Sequence, residues 1–281
     1  MEFEVLGPLS GGGGGATVEL VRAAGRLWVL KQHRPREAAA ERRFHQILRQ
    51  NGIPSLHLED WPGLGSDQLL LEYVQGSPTI GGSPSPALCR RWGAAVSALH
   101  WIRSDSFKVL DEQGDAVPAI WREFIAARIR EAIDRHHSIG TDLPQSLLDK
   151  AEHRLASLLS LDPDSFVLTH GDLHLNNALV RGGEIVLFDK PADVWVAPVV
   201  FDLCLVFSEA FPGARYGADR PGDGDRLSAF LDGYGEFPSE QSRWLEHFVL
   251  LRSLSRYPSP FVPELRSIIE IALDRLDDSL S

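Results

Sequence analysis

Residues 170–177 read HGDLHLNN and follow the apolar run SFVLT. Two histidines, an aspartate and two asparagines fall within eight positions, between that run and a second one, EIVLFDK, which ends at Asp189. An acid, a carboxamide five residues later and an acid at the end of the next strand can converge on one point. That set suits a proton acceptor beside a hard divalent cation, because Mg²⁺ takes oxygen ligands and is held by one or two carboxylates plus substrate phosphates. Asp172 is then the acceptor, and Asn177 and Asp189 are the metal ligands. His170 reads as a loop-orienting residue, whereas His174 is open to phosphate or to solvent. Zinc is the competing metal, but His136 and His137 lie in a charged helix end and supply no clean third and fourth ligand.

Chemistry on phosphates needs further parts, and these must be positioned by the elements upstream. EFEVL, ATVELV and RLWVLKQ read as short strands separated by glycine-containing turns. Between the first two lie Gly11, Gly12, Gly13, Gly14 and Gly15, which can bring backbone N–H groups close to phosphate oxygens. WVLK places Lys31 one strand later, within reach of the same phosphates. The helical pattern PREAAAERRFHQILRQNG then offers Glu37 and Glu41 as partners for Lys31. Glu41 is preferred because it lies near the packed face formed by Phe44 and Leu48. In LLLEYVQG, exposed backbone at Glu72 and Val74 can meet an adenine edge.

QGSPTIGGSPSP reads as a linker, so the chain divides into residues 1–78, a nucleotide-binding lobe of strands, and 79–281, a mainly helical catalytic and substrate-binding lobe. In the second lobe three helical patterns precede SFVLT, and the tail from Arg226 is helical again. Residues 213–225 read as a mobile surface loop. Trp92, Trp101 and Trp121 read as core residues, and Trp195 is a candidate for the cleft.

The 281 residues carry a formal charge of −11, which disfavours nucleic acid and anionic membrane surfaces and is compatible with a cationic substrate. No apolar stretch approaches the roughly 20 residues of a membrane span. The N-terminus shows no basic region followed by an apolar segment, and Cys89 and Cys204 read as buried free thiols, so a cytoplasmic protein is expected.

In this order, the glycine loop, strand lysine, helix glutamate, hinge, HGDxxxxN loop and strand-end aspartate resemble those of the aminoglycoside phosphotransferase family. ALHW, containing His100, resembles that family's helix ending, and Asp202 in FDL resembles its later aspartate. The resemblance implies an α+β, two-lobed, protein-kinase-like fold with the active site between the lobes. It implies that Asp172 orients or deprotonates a substrate hydroxyl while the γ-phosphoryl passes in line from Mg-ATP. Lys31 would bind the α and β phosphates, Asn177 and Asp189 would hold Mg²⁺, and Asp202 would brace the catalytic loop. Leu175, Asn176 and Lys190 depart from the family's usual residues. The acceptor implied is a small-molecule antibiotic, either an aminoglycoside or a cationic cyclic peptide of the capreomycin or viomycin type, with resistance as the outcome. Asp111, Glu112, Asp193, Glu209 and Asp219 are candidates to line a cationic pocket. A metabolic kinase for choline, a sugar or an amino alcohol is the alternative, and a catalytically silent nucleotide-binding scaffold is a third reading. A monomer or weak dimer is expected.

Overall fold

The computed structural model describes residues 3–9, 16–75, 83–190, 194–237, 239–259 and 264–278. Strands β1 (Glu4–Pro8), β2 (Thr17–Ala23) and β3 (Arg26–Gln32) lead into helix α1 (Pro35–Gln50), followed by β4 (Leu58–Glu59) and β5 (Gln68–Glu72). Helix α2 (Pro86–His100) precedes β6 (Arg103–Ser104), β7 (Lys108–Leu110) and β8 (Ala116–Pro118), then α3 (Trp121–Ile139) and α4 (Gln145–Leu155). Strands β9 (Phe166–Leu168), β10 (Ala178–Arg181), β11 (Glu184–Leu187) and β12 (Val194–Ala197) come next. Helices α5 (Val200–Leu205), α6 (Asp223–Tyr234), α7 (Ser239–Ser242), α8 (Leu245–Arg256) and α9 (Leu265–Asp278) close the chain. The α+β class that the family resemblance implies is the one observed.

By packing, the chain forms two units. One holds Met1–Ser83, Lys108–Val117 and Leu175–Trp195; the other holds Pro84–Phe107, Pro118–His174 and Val196–Ser281. Residue 78, where the linker was read, lies outside the described residues.

In the first unit the sheet runs β1-β2-β3-β5-β4, and the described pairings are antiparallel. Strand side chains alternate between faces, so neighbours in sequence join different cores. Leu69 and Leu71 pack with Ala38 of α1 and Val186 of β11, while Leu70 packs on the other side with Val21, Ala23 and Trp28. Helix α1 begins with Pro35 and a capping box, in which the Arg34 amide donates to Glu37 Oε2 at 3.3 Å. It ends at Asn51 and Gly52, with Gly52 at φ 69°. Hairpin β10–β11 belongs to this unit although it lies more than a hundred residues downstream. Its first strand, ALVR, was not anticipated. Gly182 and Gly183, at φ 58° and 91°, make the tight turn that two positive φ values require.

In the second unit, α2 and α6 pack at short range because each contributes a glycine to the contact. A Cβ on Gly93 would lie 2.1 Å from the Phe230 carbonyl oxygen, and one on Gly233 would lie 1.8 Å from that of Arg90. Trp92 fills the adjoining core, its ring 4.9 Å from Phe230. Trp121 stacks with Phe124 and contacts Phe201 and Phe248, joining α3, α5 and α8. Trp101 is 73% exposed and so lies outside the core, contrary to expectation, because it follows the last turn of α2. Residues 213–225 are also not the free loop expected. Tyr216 is buried with its hydroxyl on Glu246, Asp223 caps the Gly213 amide at 2.9 Å, and Arg220 pairs with Glu264. Cys89 and Cys204 are buried free thiols. Among the described residues no helix is long and apolar enough to cross a membrane.

The close approach of α2 and α6 makes a direct prediction. Gly93→Ala or Gly233→Ala should destabilise the protein by about 1–3 kcal/mol, the usual cost of overpacking. Thermal melts followed by circular dichroism would show a lowered midpoint; an unchanged midpoint would mean that the helices separate at no cost.

Candidate active site

Helix α1 carries most of its buried residues on one stripe, Ala38, Glu41, Phe44, His45 and Leu48, with Ala40 buried beside it. Glu41 is a carboxylate inside an apolar stripe, so it must meet cations or hydrogen-bond donors. On β3, alternation turns Lys31 to the same face as Val29, which packs in the Ala38 cluster. Lys31 Nζ donates to Glu41 Oε2 at 2.7 Å and to Asp189 Oδ1 at 2.5 Å. Burial alone would lower the Lys31 pKa, but the two carboxylates outweigh it and hold the ammonium above its ordinary value. Burial likewise opposes ionisation of Glu41, yet Lys31, together with His33 and His45, holds its carboxyl well below the usual range. Glu37, the other candidate partner, is engaged in the cap of α1.

Asn177 and Asp189 are brought together by hairpin register. Ala178 pairs with Leu187, and the Phe188 amide extends the ladder to the Asn177 carbonyl at 3.1 Å. Asn177 and Asp189 therefore flank the open end of one hairpin, which explains their spacing of twelve in sequence. Asp189 has φ 59°, a left-handed conformation that aspartate tolerates better than most residues and that is characteristic of functional turns. Their carboxamide and carboxylate oxygens suit Mg²⁺ in type. His33, Glu41 and Asp189 also bring ligand atoms within 4.8 Å of one another.

Glu72 is built into the first unit rather than left open. Its amide donates to the His57 carbonyl at 2.8 Å, and its carboxylate accepts from Arg181 at 2.8 Å. Val74 packs against the Leu69–Leu71 cluster. Gly11 to Gly15 lie outside the described residues, as does Asp193. Trp195 is buried against Phe44 and beneath Lys190 Nζ, so its ring belongs to the core.

In the second unit, Asp202 of α5 is buried and takes two loop amides, His170 N–H at 2.5 Å and Gly171 N–H at 2.7 Å. His100, at the end of α2, lies 3.2 Å from Asp202 and 2.9 Å from the Tyr234 hydroxyl of α6. The close glycine contact between α2 and α6 brings His100 and Tyr234 within this distance. Burial would raise the Asp202 pKa, but His100 and His170 hold it down. Two residues beyond His170, Asp172 Oδ2 contacts His174 Nε2 at 3.1 Å. Asp172 Oδ1 accepts from Arg252 Nη2 at 2.9 Å and from Arg256 Nη1 at 3.4 Å.

Sequence reasoning missed His33, Tyr234, Arg252 and Arg256. Three had a faint signal: His33 lies two residues beyond Lys31, just past the end of β3, and the arginines are four apart in LLRSLSR, while nothing local marks Tyr234. Among the acids considered for a cationic pocket, Glu209 is compensated by Arg256 at 2.7 Å, and Asp111 caps the turn at Gln113 and Asp115.

The Lys31–Glu41 pair is open to a thermodynamic cycle. Lys31→Met strands a buried carboxylate and should cost about 3–5 kcal/mol, while Lys31→Met with Glu41→Leu should recover much of it. Denaturant unfolding of the single and double variants measures the coupling, and additive losses would deny it.

The sequence profile of the Phosphotransferase enzyme family matches residues 5–246. No curated protein matches the sequence. In fold, the chain is similar to a thermostable mutant of aminoglycoside phosphotransferase APH(4)-Ia, with 16% identity, coverage of 99% of this chain and 93% of that one, and a TM-score of 0.66. It is similar to a candidate fructosamine-3-kinase from Thermobifida fusca, with 20% identity, coverage of 99% and 94%, and a TM-score of 0.66. It is also similar to amicoumacin kinase hAmiN, solved with AMP-PNP and Ca²⁺, with 16% identity, coverage of 99% and 88%, and a TM-score of 0.62. These likenesses extend over nearly the whole chain and identify the two-lobed kinase-like fold. With a family match over most of its length, this chain belongs to the Phosphotransferase enzyme family.

Proposed function

We propose that the protein transfers the γ-phosphoryl group of ATP to a hydroxyl of a small molecule. The observation that carries this reading is the buried Lys31 ammonium held between Glu41 and Asp189, at the hairpin end that also bears Asn177. An ammonium fixed by two carboxylates is a preorganised cation for phosphate oxygens. In this reading Lys31 binds the α and β phosphates, and the Gly11–Gly15 run covers them. Asn177 and Asp189 hold Mg²⁺, which when bound would neutralise phosphate charge. Asp172 meets the acceptor hydroxyl, while Asp202 and His170 keep its loop in place. Glu72 and Val74 are the backbone positions for adenine. The leading acceptor is a cationic antibiotic, of the aminoglycoside or capreomycin/viomycin type, and phosphorylation would confer resistance. Two of the similar structures, APH(4)-Ia and the amicoumacin kinase, are antibiotic kinases by name.

A metabolic kinase is the second reading, and one observation favours it. Glu209 is compensated by arginine, so the carboxylates around Asp172 are not left in the excess that a polycation would attract. The likeness to a candidate fructosamine-3-kinase points the same way.

ADP release with Mg-ATP, measured against aminoglycosides, capreomycin, viomycin, macrolides, choline, simple sugars and glycated amines, separates these readings. Turnover with an antibiotic, a phosphate-sized mass gain on it and a raised inhibitory concentration in cells would establish the first. Turnover with a sugar or amino alcohol and unchanged drug sensitivity would establish the second. Asp172→Asn should lower kcat by about 10²-fold, the usual cost of a misplaced acceptor, with nucleotide affinity retained. Asp189→Ala should raise the Mg²⁺ concentration needed for half-maximal rate. Near-normal transfer by the Asp172 variant would remove that residue from its role.

A further inference from the structure

Asp172 is flanked by a charge arrangement that phosphoryl transfer does not by itself require. Arg252 and Arg256 stand one turn apart on α8 and converge on the same oxygen, Asp172 Oδ1. Both also reach Glu209: Arg256 Nη1 donates to Glu209 Oε2 at 2.7 Å, and Arg252 Nε lies 3.6 Å from Oε1. The Glu209 side chain is only 5% exposed, so its carboxylate is an inward-facing anchor rather than a surface charge. Its position comes from an irregularity in the helix. Beyond α5 the chain widens into a π-helical turn, Val206–Ala210, closed by the Phe211 amide on the Val206 carbonyl at 3.0 Å. Such a turn inserts a residue into a helix and re-aims its side chains, and it recurs at functional sites. Two carboxylates and two guanidiniums therefore form one clamp, with Glu209 at its closed end and Asp172 at the other.

We propose that Arg252 and Arg256 are positioning residues for Asp172, committing Oδ1 to the guanidinium pair so that Oδ2, beside His174, orients the acceptor hydroxyl without taking its proton. This rests on the phosphotransferase reading above. Among the described contacts, the Asp172 carboxylate meets His174 of its own loop and Arg252 and Arg256 of α8, and the Asp172 amide donates to His170 Nδ1. Burial would raise its pKa, but His174 and the two guanidiniums outweigh it and hold the carboxyl well below the ordinary range. A carboxylate whose oxygens already meet three side-chain nitrogens gives a hydroxyl direction rather than deprotonating it. In the transfer step the acceptor oxygen forms its bond to the γ-phosphorus as the bond to the β–γ bridging oxygen breaks. The bridging electron pair leaves on ADP. The hydroxyl proton passes to an oxygen of the transferred phosphoryl group and then to water, which is compatible with a loose transition state that needs little nucleophile activation.

The test titrates Asp172 directly in the full-length protein, by ¹³C NMR of aspartate carboxyls, with the signal assigned from Asp172→Asn. In the wild type, Asp172 should stay ionised down to below about pH 3.9, the ordinary aspartate value. With Arg252→Met and Arg256→Met combined, burial is no longer opposed by the pair, and the proton affinity of Asp172 should rise at least about tenfold. The corresponding Lys/Lys variant should move it back towards the wild type. Where an acceptor is known, kcat of the Met/Met variant should acquire an acid limb, falling as pH drops through the raised pKa, because the protonated carboxyl no longer accepts from the hydroxyl. Melting temperature and ADP binding report whether each variant folds, and Arg256→Met alone serves if the double variant does not. An Asp172 titration unmoved by removal of the arginines overturns the clamp even if wild-type transfer is robust. Conversely, a shifted titration in a protein that phosphorylates no acceptor leaves the clamp standing and overturns the proposed function.

Discussion

Glu41 lies in the apolar stripe of α1, where an unpaired carboxylate would be costly enough to prevent the helix from docking. The Lys31 ammonium removes that cost, and to do so it must leave water and lie against the same face of the sheet. Much else in the first unit follows from this one pair. Alternation along β3 has to turn Lys31, and not Leu30, toward α1. The Lys31–Leu69 pairing has to keep β3 and β5 in register. Asp189 becomes the second carboxylate of the set because hairpin β10–β11 packs with Val186 in the same apolar cluster as Ala38. A catalytic-type constellation is thus a consequence of satisfying a buried charge.

The second unit solves the same problem twice with different partners. Asp202 is satisfied by two loop amides and His100, so that its burial shapes the His170–Gly171 backbone. Glu209 is satisfied by two guanidiniums, whose planar forks can serve two carboxylates at once, as a lysine could not. The close glycine contact of α2 and α6 supports the first arrangement, and the π-helical turn after α5 supports the second. Neither feature is economical for stability alone: glycines weaken helices, and a π turn spoils regular hydrogen bonding. Both make sense as the means of holding the 170–172 loop in one conformation.

Much of this is legible in the sequence. Strands with period-two alternation, helices with apolar spacing of three and four, and the HGDLHLNN loop between two apolar runs could be read because each is a local signal. Lys31 stood out as a lysine in an apolar strand, and Glu41 as an acid beside a packed face. The errors also have local causes. Trp101 looked like core because tryptophans at helical spacing usually are, but it falls just beyond the final turn of α2. The 213–225 segment looked mobile because it is rich in glycine and aspartate. Tyr216 and Asp223 nonetheless tie it down through partners distant in sequence.

What the residues determined by themselves was the inventory and its order: a glycine run, a strand lysine, a helix glutamate, an aspartate loop and a strand-end aspartate. Periodicity carries that information because burial of one face is decided within a few neighbouring residues. Only tertiary structure decided which carboxylates would share which cations. It joined Asp189 to Lys31 across 158 residues of chain, and Arg252 and Arg256 to Asp172 across 80 and 84. Such pairings depend on how helices and hairpins dock, and docking is set by the summed burial of whole faces rather than by any local motif.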